Sequence, residues 1–220
     1  MNRILVGGIV LSAVGLVICL SVLIALSRPE GPDPLAPDES MDLLSIPAFT
    51  MSTPDGETVT RDVFRDRITI VDFIFTNCVA VCPFMSATMS DLAGQLADTD
   101  ARFMSISVDP DHDTPERLGA YAQGLGADPK RWLFLRGDPE TIRKILRDGL
   151  LFELDQDPSQ ANRIPLPDGS TMPNIIHPAR LFLIGPDARV LGLYNYDDPD
   201  AVRALERRVK AIDARLKRGR

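Results

Sequence analysis

Residues 68–83 read ITIVDFIFTNCVAVCP. The first eight, Ile68–Phe75, form a mostly apolar run rich in Ile and Phe. Such a run marks a strand covered on both faces, the habit of strands in parallel sheets. It ends in a cysteine pair of spacing C-x3-C, Cys78 and Cys82, with Pro83 directly after. Helical apolar spacing then runs over residues 83–97. A buried strand therefore feeds a cysteine-bearing turn and then a helix.

Outward from that stretch, strands and helices alternate. Residues 101–108 (ARFMSISV) form the next strand and 132–135 a short one. Three helices start with a capping side chain followed by proline at the first helical position. The pairs are Thr114-Pro115, Asp138-Pro139 and Asp198-Pro199. Pro54-Asp55-Gly56 and Gly185-Pro186-Asp187 are turn signals, each flanked by strand patterns, and predict two hairpins, 49–60 and 180–194. The last helix, 199–217, ends in basic residues that suit the negative end of its dipole. The expected fold is α/β: a central sheet flanked by helices, with extra β-hairpins. With the cysteine pair at a strand-to-helix turn, this is a thioredoxin-like arrangement.

The 220-residue chain carries 24 basic and 31 acidic residues, a net charge of −7, with 45% hydrophobic and 25% charged residues. This composition excludes a disordered or collagenous chain and argues against nucleic acid as the partner. The hydrophobicity is unevenly spread. Residues 4–26 hold no charge, and 23 residues of helix span about 34 Å, enough for a hydrocarbon core. The expected organisation is a membrane anchor over 1–27, a Pro-rich acidic linker over 28–46 and a folded domain over 47–220. A cleaved signal ending near Ala25-Leu26-Ser27 is the alternative reading of the first segment. Cys19 follows Ile18, not a small residue, and is read as part of the anchor rather than as a lipid-modified cysteine. Arg3 at the short end and acids beyond Arg28 place the domain on the extracytoplasmic side of a single-pass anchor. That compartment is oxidising.

Only 3 Cys and 2 His are available for thiol or metal chemistry. Cys78 and Cys82, four apart at a helix start, can converge on each other or on one ion. The helix N-terminus favours thiolate. Thiolates are soft ligands suited to Cu(I), whereas a closed structural zinc site wants four ligands that this chain supplies poorly. The plain alternative is two small core residues or a structural disulfide. His177, in NIIHPARLFLIG before a strand, is a candidate third ligand or an ordinary structural histidine. His112 sits among Asp109, Asp111 and Asp113 in a loop without the pattern of an EF-hand, and reads as a solvated helix entry. Met85 and Met89 lie three and seven residues beyond Cys82 and read as core.

The blocks VDFIFTNCVAVCP, SISVDPDHDTPERL and IIHPARLFLIGPDARVLGLY resemble the Sco/SenC copper-chaperone family, in order and spacing, over residues 46–215. The resemblance implies a thioredoxin-like domain that binds one copper ion through Cys78, Cys82 and His177. It implies a role in assembling the dinuclear copper centre of cytochrome c oxidase, with that oxidase's copper-bearing subunit or another acceptor as partner. It also implies that Cys78 and Cys82 can act as a redox pair. Asp109 falls where the family has an Asp that shapes the site without binding metal. Val79 and Ala80 replace the family's usual proline and frequent acid, and Ile176 stands where Asp is common. These departures alter the charge around the site but remove no ligand.

The expected mechanism is copper held by two thiolates and an imidazole, and passed stepwise to an acceptor's ligands near the membrane. A thiol–disulfide oxidoreductase using the same pair is the second reading. A peroxide-reducing thiol enzyme and a plain tethered interaction domain complete the alternatives.

Overall fold

The computed structural model describes residues 18–19, 33–166 and 168–219. The chain divides into two compact units, Met1–Asp33 and Pro34–Arg220. In the first, Ile18 and Cys19 are helical and exposed. Otherwise the expected span at 4–26 lies outside the described residues, and among those no helix is long and apolar enough to cross a membrane.

The second unit is built on a mixed sheet. Its strands are β3 (Thr69–Ile74), β4 (Arg102–Ser107), β5 (Trp132–Leu135), β10 (Leu181–Ile184) and β11 (Val190–Tyr194), in the order β11-β10-β3-β4-β5. β3, β4 and β5 run parallel; β10 is antiparallel to both β3 and β11. β3 is central and every one of its residues is buried, which is why its sequence is apolar almost throughout. Alternation along the strands sorts the core into two faces. On one, Phe73 meets the Phe182 ring edge-on at 5.7 Å, and Phe152 joins them. On the other, Trp132 stacks near Phe134, and Tyr121 packs on Phe134 at 6.2 Å.

The helices are α1 (Val81–Gln95), α2 (Pro115–Gly124), α3 (Pro139–Lys144) and α4 (Pro199–Arg218). Thr114, Asp138 and Asp198 each accept hydrogen bonds from first-turn amides, with proline at the start of each helix, as the capping pattern predicts. Helix α1 has no such cap and starts at Val81, two residues earlier than the proline suggests. The first hairpin pairs β1 (Thr50–Ser52) with β2 (Thr58–Thr60). The second is β10–β11 itself, an edge of the main sheet rather than an appendage.

Two features depart from the sequence reading. From Pro34 onward, the stretch expected to be a spacer over 28–46 lies on the domain. The Asp38 amide bonds to Leu191 O, Val190 to Leu44 O and Ile46 to Ala188 O, so the segment borders β11. Leu44 and Ile46 are buried. Arg208 on α4 donates to the carbonyls of Pro34 and Ala36 and to the Asp38 carboxylate. The prolines remove donors, but the remaining amides find partners in a strand over a hundred residues away. The second departure is an excursion over 155–176 with short antiparallel pairs: β6 (Asp155–Gln156) with β9 (Ile175–Ile176), and β7 (Ile164–Pro165) with β8 (Thr171–Met172). It delivers the chain to His177.

Candidate metal and thiol centre

The site forms where β3 ends. The chain turns after Phe75, with the Cys78 amide donating to Phe75 O at 3.1 Å. Cys78 is half-buried on this turn, and Cys82 is fully buried in the first turn of α1. The Cys82 amide points at Cys78 Sγ, 3.4 Å away. Residues four apart thus meet across the helix start. His177 arrives from the opposite side, after β9, with Nε2 3.6 Å from Cys82 Sγ. Its Nδ1 lies 3.3 Å from the Pro178 carbonyl. A carbonyl only accepts, so this contact is a hydrogen bond in the forms of the ring that carry a proton on Nδ1. The Phe75 ring stands edge-on to the imidazole at 5.6 Å and fixes its plane.

The two thiols are electrostatically unequal. Cys78 is lowered to about 4, chiefly by the hydrogen bond from the Cys82 thiol. Burial opposes this, while His177 and the amides of Cys82 and Ala80 assist. Cys82 is pushed up, because Cys78 takes its hydrogen bond and because it is buried. The arrangement is a half-exposed thiolate backed by a buried thiol. Both are free cysteines. The expected consequence is that Cys78 still alkylates with iodoacetamide at pH 5–6, where an ordinary cysteine is protonated. Its rate falls only as pH drops through about 4. Mass spectrometry of the alkylated peptide across pH checks this; a rate that has already collapsed by pH 7 contradicts it.

The turn carrying Cys78 is clamped from behind. Asp113, fully buried, accepts from the Thr76 amide at 3.0 Å, the Thr76 hydroxyl at 2.5 Å and the Ser107 hydroxyl at 2.5 Å. Arg117 donates to Asn77 Oδ1 at 2.5 Å, and Asn77 Nδ2 reaches Met172 Sδ at 3.7 Å. Residues 76–77 are thereby tied to the loop after β4, to α2 and to the excursion. The sequence reading treated Asp113 only as part of an acidic loop. The available signal was its place one residue before the Thr114 cap, where the loop must fold back on β3.

The other candidates go elsewhere. His112 Nδ1 sits 2.8 Å from Asp109 Oδ1, a contact within its own loop. Met85 and Met89 are completely buried in the core. Cys19 belongs to the other unit. Among the described residues no group of three or more His, Cys, Asp or Glu stands assembled as a metal cage. Cys78, Cys82 and His177 are gathered, with contacts between neighbours, but not closed around a point.

A sheet of this order with a dithiol at the β3–α1 junction and an imidazole facing it defines a thioredoxin-like thiol protein. The comparisons narrow this. The SCO1/SenC family model matches residues 38–212, and the chain belongs to that family. It is 32% identical over 160 residues to the SCO1 protein homolog of Bacillus subtilis, covering 68% of this chain and 76% of that protein. The fold matches BsSco, described with a disulfide switch and as a member of the Sco family of cytochrome c oxidase assembly proteins. That match has TM-score 0.64 and 28% identity, over 84% of this chain and 99% of the other. It also matches Bradyrhizobium japonicum ScoI with copper bound, at TM-score 0.54 and 25% identity, over 80% and 98% of the chains.

Proposed function

We propose that this protein carries copper as cargo on Cys78, Cys82 and His177 and passes it to the dinuclear copper centre of cytochrome c oxidase, or prepares that centre to receive it. The observation that carries the reading is the 3.6 Å approach of His177 Nε2 to Cys82 Sγ, with Cys78 alongside. Two sulfurs and one imidazole suit a soft copper ion, and three ligands leave room for an acceptor's side chain to enter. The Pro178 carbonyl beside Nδ1 suits the tautomer that frees Nε2 to bind a metal. The relatives support the cargo and the destination, one being solved with copper and another being assigned to oxidase assembly.

The rim of the site suits docking. Val79 is 75% exposed, Phe84 68% and Ile176 50%, and each adjoins a site residue in sequence or lies two from one. Exposed apolar side chains around a transfer site fit a protein acceptor better than free ion release. In this reading residues 4–26 anchor the protein in the membrane with the domain outside the cytoplasm, which keeps the site close to a membrane-bound oxidase.

The unequal thiols favour a second activity of the same residues, reduction of a disulfide on a protein partner. Cys78 would attack and Cys82 would resolve. The test of the main reading is a Cu(II) titration of the purified, reduced protein followed by absorption. One equivalent of copper with a thiolate-to-copper charge-transfer band is the expected result. Copper uptake without that band, or none, overturns it. Disulfide reduction that persists in His177→Ala while copper binding is lost separates the two activities.

A further inference from the structure

Strand β5 is an edge of the main sheet, and its outer side is only partly covered. The Phe103 amide bonds to Arg131 O, so in this parallel ladder residues 131, 133 and 135 turn their backbone groups toward β4. Residues 132, 134 and 136 turn theirs outward. Arg136 uses both groups on Ser52 at the end of β1, and the Trp132 amide bonds to Asp128 O. The next residue that an antiparallel ladder would pair with β5 is Pro54. It has no amide hydrogen, and the chain turns away there, the Thr53 amide bonding to Glu57 O. Among the described residues no hydrogen bond reaches the Phe134 amide, the Phe134 carbonyl or the Trp132 carbonyl. A strand edge with a free donor and free acceptors is a template for another extended chain.

That edge lies in a cleft of 760 Å³. Pro54 and Val59 of the first hairpin form one wall, Ala122 of α2 the other, and Trp132, Leu133 and Phe134 the floor. Four charged side chains line it. Asp55, Glu57 and Lys130 are exposed, so water and salt screen them and they discriminate weakly. Arg102 differs, being half-buried. Its Nη1 donates to Val63 O at 2.6 Å, while its Nε is enclosed and has no partner. Burial and the neighbouring Arg67 push the Arg102 pKa down. An anion brought beside this guanidinium therefore meets a charge that the fold leaves under-bonded.

We propose that this cleft binds an extended segment of another protein, which adds as a strand to β5 and sets an acidic side chain against Arg102. The Phe134 amide and carbonyl take the segment's backbone, and the apolar floor takes its side chains at alternate positions. A donor and an acceptor on one strand edge recognise a peptide backbone, which a lipid or a nucleotide does not offer. Arg102, the half-buried charge of the cleft, selects the acid. Strand β5 has four residues, about 13 Å, so the bound segment is three to five residues long. The two walls keep a second folded copy of the sheet from reaching the edge. The chain's own tether goes elsewhere, since from Pro34 onward it borders β11 at the opposite edge. Such a contact holds a partner beside the domain independently of copper.

The test uses the whole protein in detergent micelles, with Trp132, the one tryptophan of the chain, as reporter. The probe is the peptide acetyl-Val-Thr-Val-Glu-Val-amide. The expected result is a saturable change in Trp132 fluorescence, with slower deuterium exchange at the Phe134 amide. Lysine in place of the peptide's glutamate weakens binding about tenfold or more, and N-methylation of its central residues abolishes it. In Arg102→Gln the glutamate and lysine peptides bind within about threefold of each other. If Arg102→Gln does not fold, the unaltered protein decides. No saturable response below about 10 mM overturns the proposal. So do glutamate and lysine peptides of equal affinity, or an N-methylated peptide that binds as tightly as its parent. A dimer that dissociates when Phe134 exchange speeds up assigns the edge to a second copy and also overturns it.

Discussion

Replacing Cys78 and Cys82 together by serine is expected to abolish copper binding, and His177→Ala to weaken it by more than roughly 100-fold. The reason is the small stock of soft donors. The chain holds 3 Cys and 2 His; Cys19 lies in the other unit and His112 is paired with Asp109 in its own loop. Serine offers a hard oxygen that stays protonated at neutral pH, so the double variant keeps the shape of the turn and loses the chemistry. His177→Ala keeps both sulfurs but removes the imidazole nitrogen that faces Cys82 Sγ. Removing a residue that merely orients a metal ligand costs 10–100-fold, so losing a ligand costs more. Competitive titration against a Cu(I) chelator measures this. Unchanged affinity in either variant excludes the three-residue site.

The second large effect is expected at Asp113, which touches neither sulfur. Its carboxyl receives the Thr76 amide, the Thr76 hydroxyl and the Ser107 hydroxyl. Asp113→Ala leaves those donors buried without an acceptor, at a cost of about 3 kcal/mol. For a domain of this size that lowers Tm by roughly 6–12 °C. Burial raises the Asp113 pKa, with the Ser107 and Thr76 donors pulling the other way. Asp113→Asn keeps an oxygen acceptor for part of the clamp and is milder. The functional sign is distinct from the thermal one. With Thr76 released, the Cys78 turn loosens at temperatures where the protein is still folded, and copper affinity falls. Thermal unfolding followed by circular dichroism, paired with the chelator titration, checks both. A variant that loses stability but binds copper with unchanged affinity shows that the clamp holds the fold and not the site.

Much of this was legible before any coordinates. The β3 run, the caps at Thr114, Asp138 and Asp198, and the Gly185 turn are local signals, and local chemistry decides them. The cysteine spacing and its place after a buried strand pointed to the candidate site for the same reason. What escaped depends on distant partners. Residues 34–46 look like a spacer because proline suppresses local pairing, yet their amides and carbonyls bond to β11 and Arg208. The excursion over 155–176 has strands of two residues, too short for an alternation pattern.

The proposed copper site is tested most directly by copper K-edge X-ray absorption on the loaded protein. Two sulfur scatterers and one imidazole nitrogen in the first shell are the expected result, with the nitrogen lost in His177→Ala. A first shell without sulfur, or one unchanged by Cys78→Ser and Cys82→Ser, contradicts copper binding at Cys78, Cys82 and His177.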